Sequence, residues 1–179
     1  MTDSDILIRP ARDRDADRIA AIYAHHVAHG TASFDTSPRT SEATADKIAQ
    51  CEQQSWPFIV AERDGMVIGY AYATQFRDRP AYASTCENSI YIDPAAIGVG
   101  VGTLLLQALI DASVQAGFRQ MIAVVGGAEP ASMALHQKMG FREAGRMRSV
   151  GRKHGRWLDT VYLQVALGEG DTTPPPNVP

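Results

Sequence analysis

Tyr91-Ile92-Asp93-Pro94-Ala95-Ala96-Ile97-Gly98-Val99-Gly100-Val101-Gly102-Thr103-Leu104-Leu105 is the stretch on which the reading of this chain turns. It passes from a strand, through three glycines at alternate positions, into a helix. Glycine lets the backbone approach a ligand closely, and the first N–H groups of a helix have no partner inside it. With the helix dipole, those amides suit an anion such as a pyrophosphate. An ordinary strand-to-helix turn is the plainer alternative on glycine content alone. Spacing narrows the ligand. The dinucleotide fingerprint GxGxxG needs glycine at 103 or 105, where Thr103 and Leu105 stand. A Walker loop ends in Gly-Lys-Ser/Thr, and no lysine is close in the sequence. The turn also follows several strands, whereas the dinucleotide motif occupies the first strand-to-helix turn. A nicotinamide-dependent oxidoreductase is therefore disfavoured.

Outward from the turn, residues 102–117 read as a helix with Leu104, Leu105, Ala108, Leu109 and Ala112 on one face. The preceding strand covers 84–93. Residues 58–63 and 66–74 flank Asp64-Gly65, a hairpin dipeptide. Toward the N-terminus, 6–9 is a short strand. Residues 13–29 form a helix buried through Ala16, Ile19, Ala20, Ile22, Tyr23 and Val27. Gly30 is expected to end it in a left-handed conformation. A loop over 31–39 leads to a second helix, with Ser41 and Thr44 as capping candidates and Ile48 and Ala49 facing inward. Downstream, 121–125 reads as a buried strand, 132–139 as a short helix closed by Gly140, and 141–150 and 157–167 as strands. The result is one mixed α/β domain over residues 1–167. Residues 168–179 hold four prolines and are expected to form a disordered tail.

Composition sets the outer limits. The 179 residues include 45% hydrophobic and 21% charged positions, enough for a core without disulfides or metals. Seventeen Lys+Arg against 20 Asp+Glu leave a net charge of −3, which argues against nucleic-acid binding driven by charge. No basic-then-apolar leader opens the chain and no apolar run approaches a membrane span, so a cytoplasmic protein is expected. Cys51 and Cys86 lack metal or redox spacing. His25 and His29 lie one turn apart, but no HExxH or third ligand accompanies them, so no metal is expected.

The glycine turn resembles motif A of the GNAT acyltransferase superfamily, an Arg/Gln-x-x-Gly-x-Gly/Ala turn after the fourth strand. Gly100 and Gly102 match its two small positions, and Ile97 departs from its Arg/Gln. Ser132-Met133-Ala134-Leu135-His136-Gln137-Lys138-Met139-Gly140-Phe141 looks like the family's Ser-x-x-Leu-His/Tyr-x-x-x-Gly-Phe helix. More narrowly, several segments are similar to phosphinothricin N-acetyltransferases and their methionine sulfoximine-acetylating relatives. These are Ala21-Ile22-Tyr23 with Thr31-Ala32-Ser33-Phe34-Asp35, then Glu87-Asn88-Ser89-Ile90-Tyr91-Ile92, then Gly151 through Asp159. The resemblance implies a mostly antiparallel twisted sheet splayed at the strands that bind CoA, acetyl-CoA as co-substrate, and a homodimer. It also implies that Gly98, Val99, Gly100, Val101, Gly102 and Thr103 hold the pyrophosphate. Ile90, Tyr91 and Ile92 would offer backbone groups to pantetheine. Glu129 stands where an asparagine usually touches CoA, a second departure.

Acetylating an amine from a thioester requires a neutral amine, support for an oxyanion and a proton for the thiolate. Glu87 falls where the subfamily's Glu-x-Ser-x-Tyr segment places its base; a solvated strand carboxylate is the plain alternative. His136 falls where the family carries the group that protonates the thiolate, and it also reads as a packed structural histidine. Arg77 and Arg79 are candidates for the acceptor's carboxylate or head group, since guanidinium grips oxyanions bidentately, or they decorate an exposed loop. Asn88 and Ser89 flank the base, Phe34 would cover the aliphatic part, and Lys153 would add charge. An acetyl-cysteine at Cys86 is not needed for direct transfer. The implied acceptor is the α-amine of a small amino-acid analogue. Another small amine, a peptide N-terminus, or acyl-CoA sensing without catalysis are the alternatives.

Overall fold

Asp64 and Gly65 adopt φ of 53° and 75° and close the hairpin between β2 (Phe58–Arg63) and β3 (Met66–Gln75). Two successive positive φ values match the twist of a tight hairpin. Alternation along these strands feeds two cores, its phase shifted once by the bulge where Ala61 pairs with Gly69 and Glu62 with Val67. Ile59, Ala61, Ile68, Ala71 and Ala73 join one, while Phe58, Val60, Val67, Tyr70 and Tyr72 join the other. In the computed structural model, which describes residues 6–175, the strands form one seven-stranded sheet ordered β1-β2-β3-β4-β5-β7-β6. Its other strands are β1 (Leu7–Pro10), β4 (Thr85–Ile92), β5 (Gln120–Gly126), β6 (Arg142–Lys153) and β7 (Arg156–Ala166). Helices α1 (Ala16–His29) and α2 (Ser41–Gln53) pack on one face, and α3 (Val101–Gln115) and α4 (Pro130–Lys138) on the other.

Neighbouring strands are antiparallel except β4 and β5, which run parallel. That parallel pairing extends only from Thr85↔Gln120 to Asn88↔Ala123. Beyond Asn88 the strands part, although β4 continues to Ile92 and β5 to Gly126. The splay leaves one edge of residues 89–92 without a strand partner.

Several local expectations meet corrections. Gly30 is extended, at φ −108° and ψ 171°, and is not left-handed. Its glycine requirement is steric instead, because a Cβ there would stand 2.9 Å from the carbonyl oxygen of His26. Thr40, not Ser41 or Thr44, caps α2, its side chain accepting from the Ala43 amide at 3.1 Å. The buried stripe of α3 is Val101, Leu105, Leu106, Leu109 and Ser113, so Leu104 and Ala112 lie at its margin. The seat is Gly69 on β3, where a Cβ would press Leu105 Cδ1 at 3.1 Å. Residues 168–174, expected as a disordered tail, fold back over the start of β5. There Arg119 pairs with Glu169 at 3.3 Å and donates to Thr173 Oγ1 at 3.2 Å. Residues 176–179 of that tail, and the first five residues of the leader reading, lie outside the described residues.

Candidate active site

Asp93 anchors the glycine turn. Its carboxylate accepts from the Ala95 amide at 2.8 Å and is paired with Arg18, which also donates to the carbonyl of Val67 at 3.0 Å. Gly98 and Gly100 then take φ of 85° and 89°, a region costly for residues with a Cβ. Gly100 is the N-cap of α3 and supplies no side chain to its amides. Among the described residues, the amides of 98–102 have no protein acceptor. These unpartnered N–H groups lie where the sequence reading expects an anion to be held. Tertiary structure adds a lysine that chain spacing hides: Lys138 of α4 donates to Thr103 Oγ1 at 3.4 Å. Ile97 is 63% exposed and supports nothing behind it. Glu129 caps α4, its carboxylate accepting from the Ser132 amide at 2.8 Å, which accounts for an acid at that place.

The splay opens a cleft of about 240 Å³. Glu87, Asn88, Ser89, Ile90 and Tyr91 of β4 line one wall, residues 123–126 of β5 the other, with Phe34, Ser132 and His136 around them. Phe34 is held against Gly151 and Gly126, where an added Cβ would reach its ring at 2.5 and 3.0 Å. His136 is buried, and burial lowers its pKa, so the ring is neutral at pH 7. Nδ1 stands 2.8 Å from the carbonyl of Ser132, an oxygen that can only accept, so Nδ1 carries the proton. Nε2 then holds a lone pair 3.1 Å from the Asn88 side-chain amide, whose NH2 group, otherwise without a partner, donates to it when turned toward the ring. Both ring nitrogens are thus engaged within the protein. Protonation of a thiolate by His136, one of its two expected readings, would require one of these contacts to open.

Glu87 also lines a second and larger cavity of about 740 Å³. Register places Glu87 beside Thr74 and Ser89 beside Tyr72, and all four face this space. Burial pushes the Glu87 carboxyl above the ordinary range, partly offset by the positive charge of Arg77. Arg77 stacks on Phe76 at 4.7 Å, and Phe76 lines the cavity, so Arg77 lies at its rim. Arg77 and Arg79 are exposed and line neither cavity. Lys153 is buried and lines neither of these cavities; it donates to the carbonyl of Ser33 at 2.8 Å and so anchors the 31–35 loop, whose Ala32, Ser33 and Phe34 line the cleft. In their place stand Arg39 and Lys47, which the sequence reading passed over. Lys47 had a findable signal, since Ala43, Asp46, Lys47 and Gln50 recur at helical spacing on one face of α2.

The discounted signals have structural uses. His26 Nε2 meets the carbonyl of Ile92 at 2.7 Å, tying α1 to the end of β4. Burial pushes the Cys86 thiol up to about 12, which leaves it without thiolate character at neutral pH. Among the described residues no cluster of three His, Cys, Asp or Glu side chains could hold a metal, and no helix is long and apolar enough to cross a membrane.

Comparison with known proteins bears on this geometry. The family described as Acetyltransferase (GNAT) domain matches residues 8–162. A phosphinothricin N-acetyltransferase of Alcaligenes faecalis is 49% identical over 169 residues, covering 94% of this chain and 86% of that one. An L-methionine sulfoximine/L-methionine sulfone acetyltransferase of Salmonella typhimurium is 36% identical over 165 residues, covering 90% of this chain and 95% of that one. Among solved structures, a GNAT superfamily phosphinothricin acetyltransferase from Sinorhizobium meliloti, in complex with AcCoA, matches with a TM-score of 0.93. It is 44% identical, with 96% of this chain and 93% of that one covered.

Proposed function

The chain belongs to the GNAT acetyltransferase family, and from that premise we propose that it transfers acetyl from acetyl-CoA to the α-amine of a small amino-acid analogue of the phosphinothricin or methionine sulfoximine/sulfone class. The observation that carries this reading is the place of Glu87, the carboxylate shared by the splayed cleft and the larger cavity. A base at that junction can take a proton from an amine entering from one side while the acetyl group is held on the other.

Acetyl-CoA, when bound, supplies the activated thioester. The residues fit it: free amides over 98–102 and Lys138 suit its pyrophosphate, and the unpaired edge of Ile90, Tyr91 and Ile92 suits an extended arm. Glu87 accepts the amine's proton directly or through water. Asn88 and Ser89 orient the groups beside it, and Phe34 covers the acceptor's aliphatic part. His136, held neutral between Ser132 and Asn88, is a positioning residue. Arg77 keeps Glu87 ionisable from the rim, and Arg79 adds positive charge to the same loop. Lys153 supports the acceptor side through the 31–35 loop. A homodimer in the cytoplasm is the setting this reading takes from the family resemblance.

The test is release of free CoA by the purified protein with acetyl-CoA and a panel of amines: phosphinothricin, methionine sulfoximine, methionine sulfone, common amino acids and short peptides. Turnover confined to the analogues supports the reading. Turnover on peptides alone would move the acceptor class, and acetyl-CoA binding without turnover on any amine would favour a sensor.

A further inference from the structure

The larger cavity carries two cations, Arg39 and Lys47, which no carboxylate neutralises among the described residues. Asp46 on the same face of α2 is exposed and forms an ion pair with neither. Arg39 is held in a clamp of tyrosines. Its guanidinium carbon lies 4.7 Å from the ring centre of Tyr23 and 6.0 Å from that of Tyr72, and Nη2 donates to the Tyr72 hydroxyl at 3.2 Å. Tyr23 is itself fixed, its hydroxyl bonded to Asp35 and standing 2.9 Å from Ser33 Oγ.

A half-buried guanidinium stacked on aromatic faces has little freedom left to lose, so gripping an oxyanion with its remaining N–H groups costs little entropy. The cavity thus joins a carboxylate, Glu87 on β4, to a preorganised cation, Arg39, just ahead of α2. An acceptor bearing both an amine and an oxyanion matches the two ends. A neutral acceptor would leave a partly desolvated cation unpaired.

We propose that Arg39 is the residue by which this site selects anionic acceptors, binding an oxyanion group of the carboxylate or phosphinate kind, with Lys47 adding charge. The proposal rests on the acetyl-transfer reading for its acceptor and goes beyond it in naming what the acceptor must carry.

Steady-state kinetics on Arg39→Ala test it, with phosphinothricin and methionine sulfone as acceptors. The KM for phosphinothricin should rise about 10- to 100-fold, the range for a charge-assisted contact, while the KM for acetyl-CoA stays within about twofold. A loss on phosphinothricin alone assigns the side-chain oxyanion; a loss on both assigns the α-carboxylate. Arg39→Gln, which keeps a donor for Tyr72, should show the same KM split and guards against a folding defect in the alanine variant. An unchanged KM for both acceptors in either folded variant overturns the assignment. If the parent protein acetylates neither acceptor, the transfer reading is what fails. Calorimetric titration of phosphinothricin then decides the inference: binding by the parent and loss in the variants keeps it, and equal binding, or none by the parent, overturns it.

Discussion

Glu87 shows how one residue trades stability for chemistry. Its carboxyl is raised by burial, so the folded chain holds that proton more tightly than the unfolded chain does. Its contribution to stability is complete below the unfolded pKa and is lost as pH rises through the folded one. Under the proposed mechanism activity runs the opposite way, because Glu87 must be ionised to act as the base. Acceptor kcat/KM should therefore rise with pH along a limb displaced above the ordinary carboxylate range, as a pH–rate profile will show. Glu87→Gln should lower kcat by about 10²- to 10⁴-fold, leave acetyl-CoA affinity nearly unchanged and raise the melting temperature at neutral pH. Unaltered turnover would remove Glu87 from the mechanism. Arg77 lowers the Glu87 pKa, so Arg77→Ala should shift the acidic limb to higher pH without abolishing turnover. The sequence could single out Glu87 as the candidate base because a short local pattern marks it. It did not mark Arg39, whose role depends on Tyr23 and Tyr72, side chains from α1 and β3 that meet only after packing. Nor did it show His136 saturated, since that depends on Asn88, 48 residues away.

Among the elements, the β4–turn–α3 unit was the most legible. Strand, glycines and helix are contiguous, and the left-handed Gly100 at the helix cap needs no distant partner. Gly100→Ala should cost about 1–2 kcal/mol from its positive φ and raise the KM for acetyl-CoA more than that for the acceptor. Thermal melts and the two KM values check this, and equal effects on both would detach the turn from cofactor binding. Gly126 works differently. A Cβ there would stand 2.8 Å from the carbonyl oxygens of both Thr31 and Ala32, and backbone yields poorly. Gly126→Ala should displace the loop that carries Phe34, cost about 1–3 kcal/mol and raise the acceptor KM. No sequence pattern announces that contact, because the 31–35 loop and β5 meet only through the fold.

At the scale of the whole molecule, the sheet's outer edge depends on a charged cluster. Arg9 on β1 pairs with Asp15 at 2.7 Å and with Glu62 of β2 at 2.6 Å, and its side chain is only 12% exposed. Arg9 holds the Asp15 carboxyl below its ordinary range. That stabilisation is present above the unfolded carboxylate pKa and is lost as pH falls through the folded one. Arg9→Met should destabilise the protein by about 3 kcal/mol at pH 7, because it strands two partly buried carboxylates. The deficit should shrink in denaturant melts at low pH, and a pH-independent deficit would mean the loss is packing alone. By itself the sequence determined the class of fold, the order of elements and the glycine turn, and it marked Glu87 as the candidate base. Hydrophobic period, turn dipeptides and short motifs act over a few residues and need no knowledge of what lies across the sheet. Only the tertiary structure decided where β4 and β5 part, that Glu87 stands between two cavities, and which cations face it. Those depend on strands and helices far apart in sequence, brought together by burial of two cores that no local pattern orients.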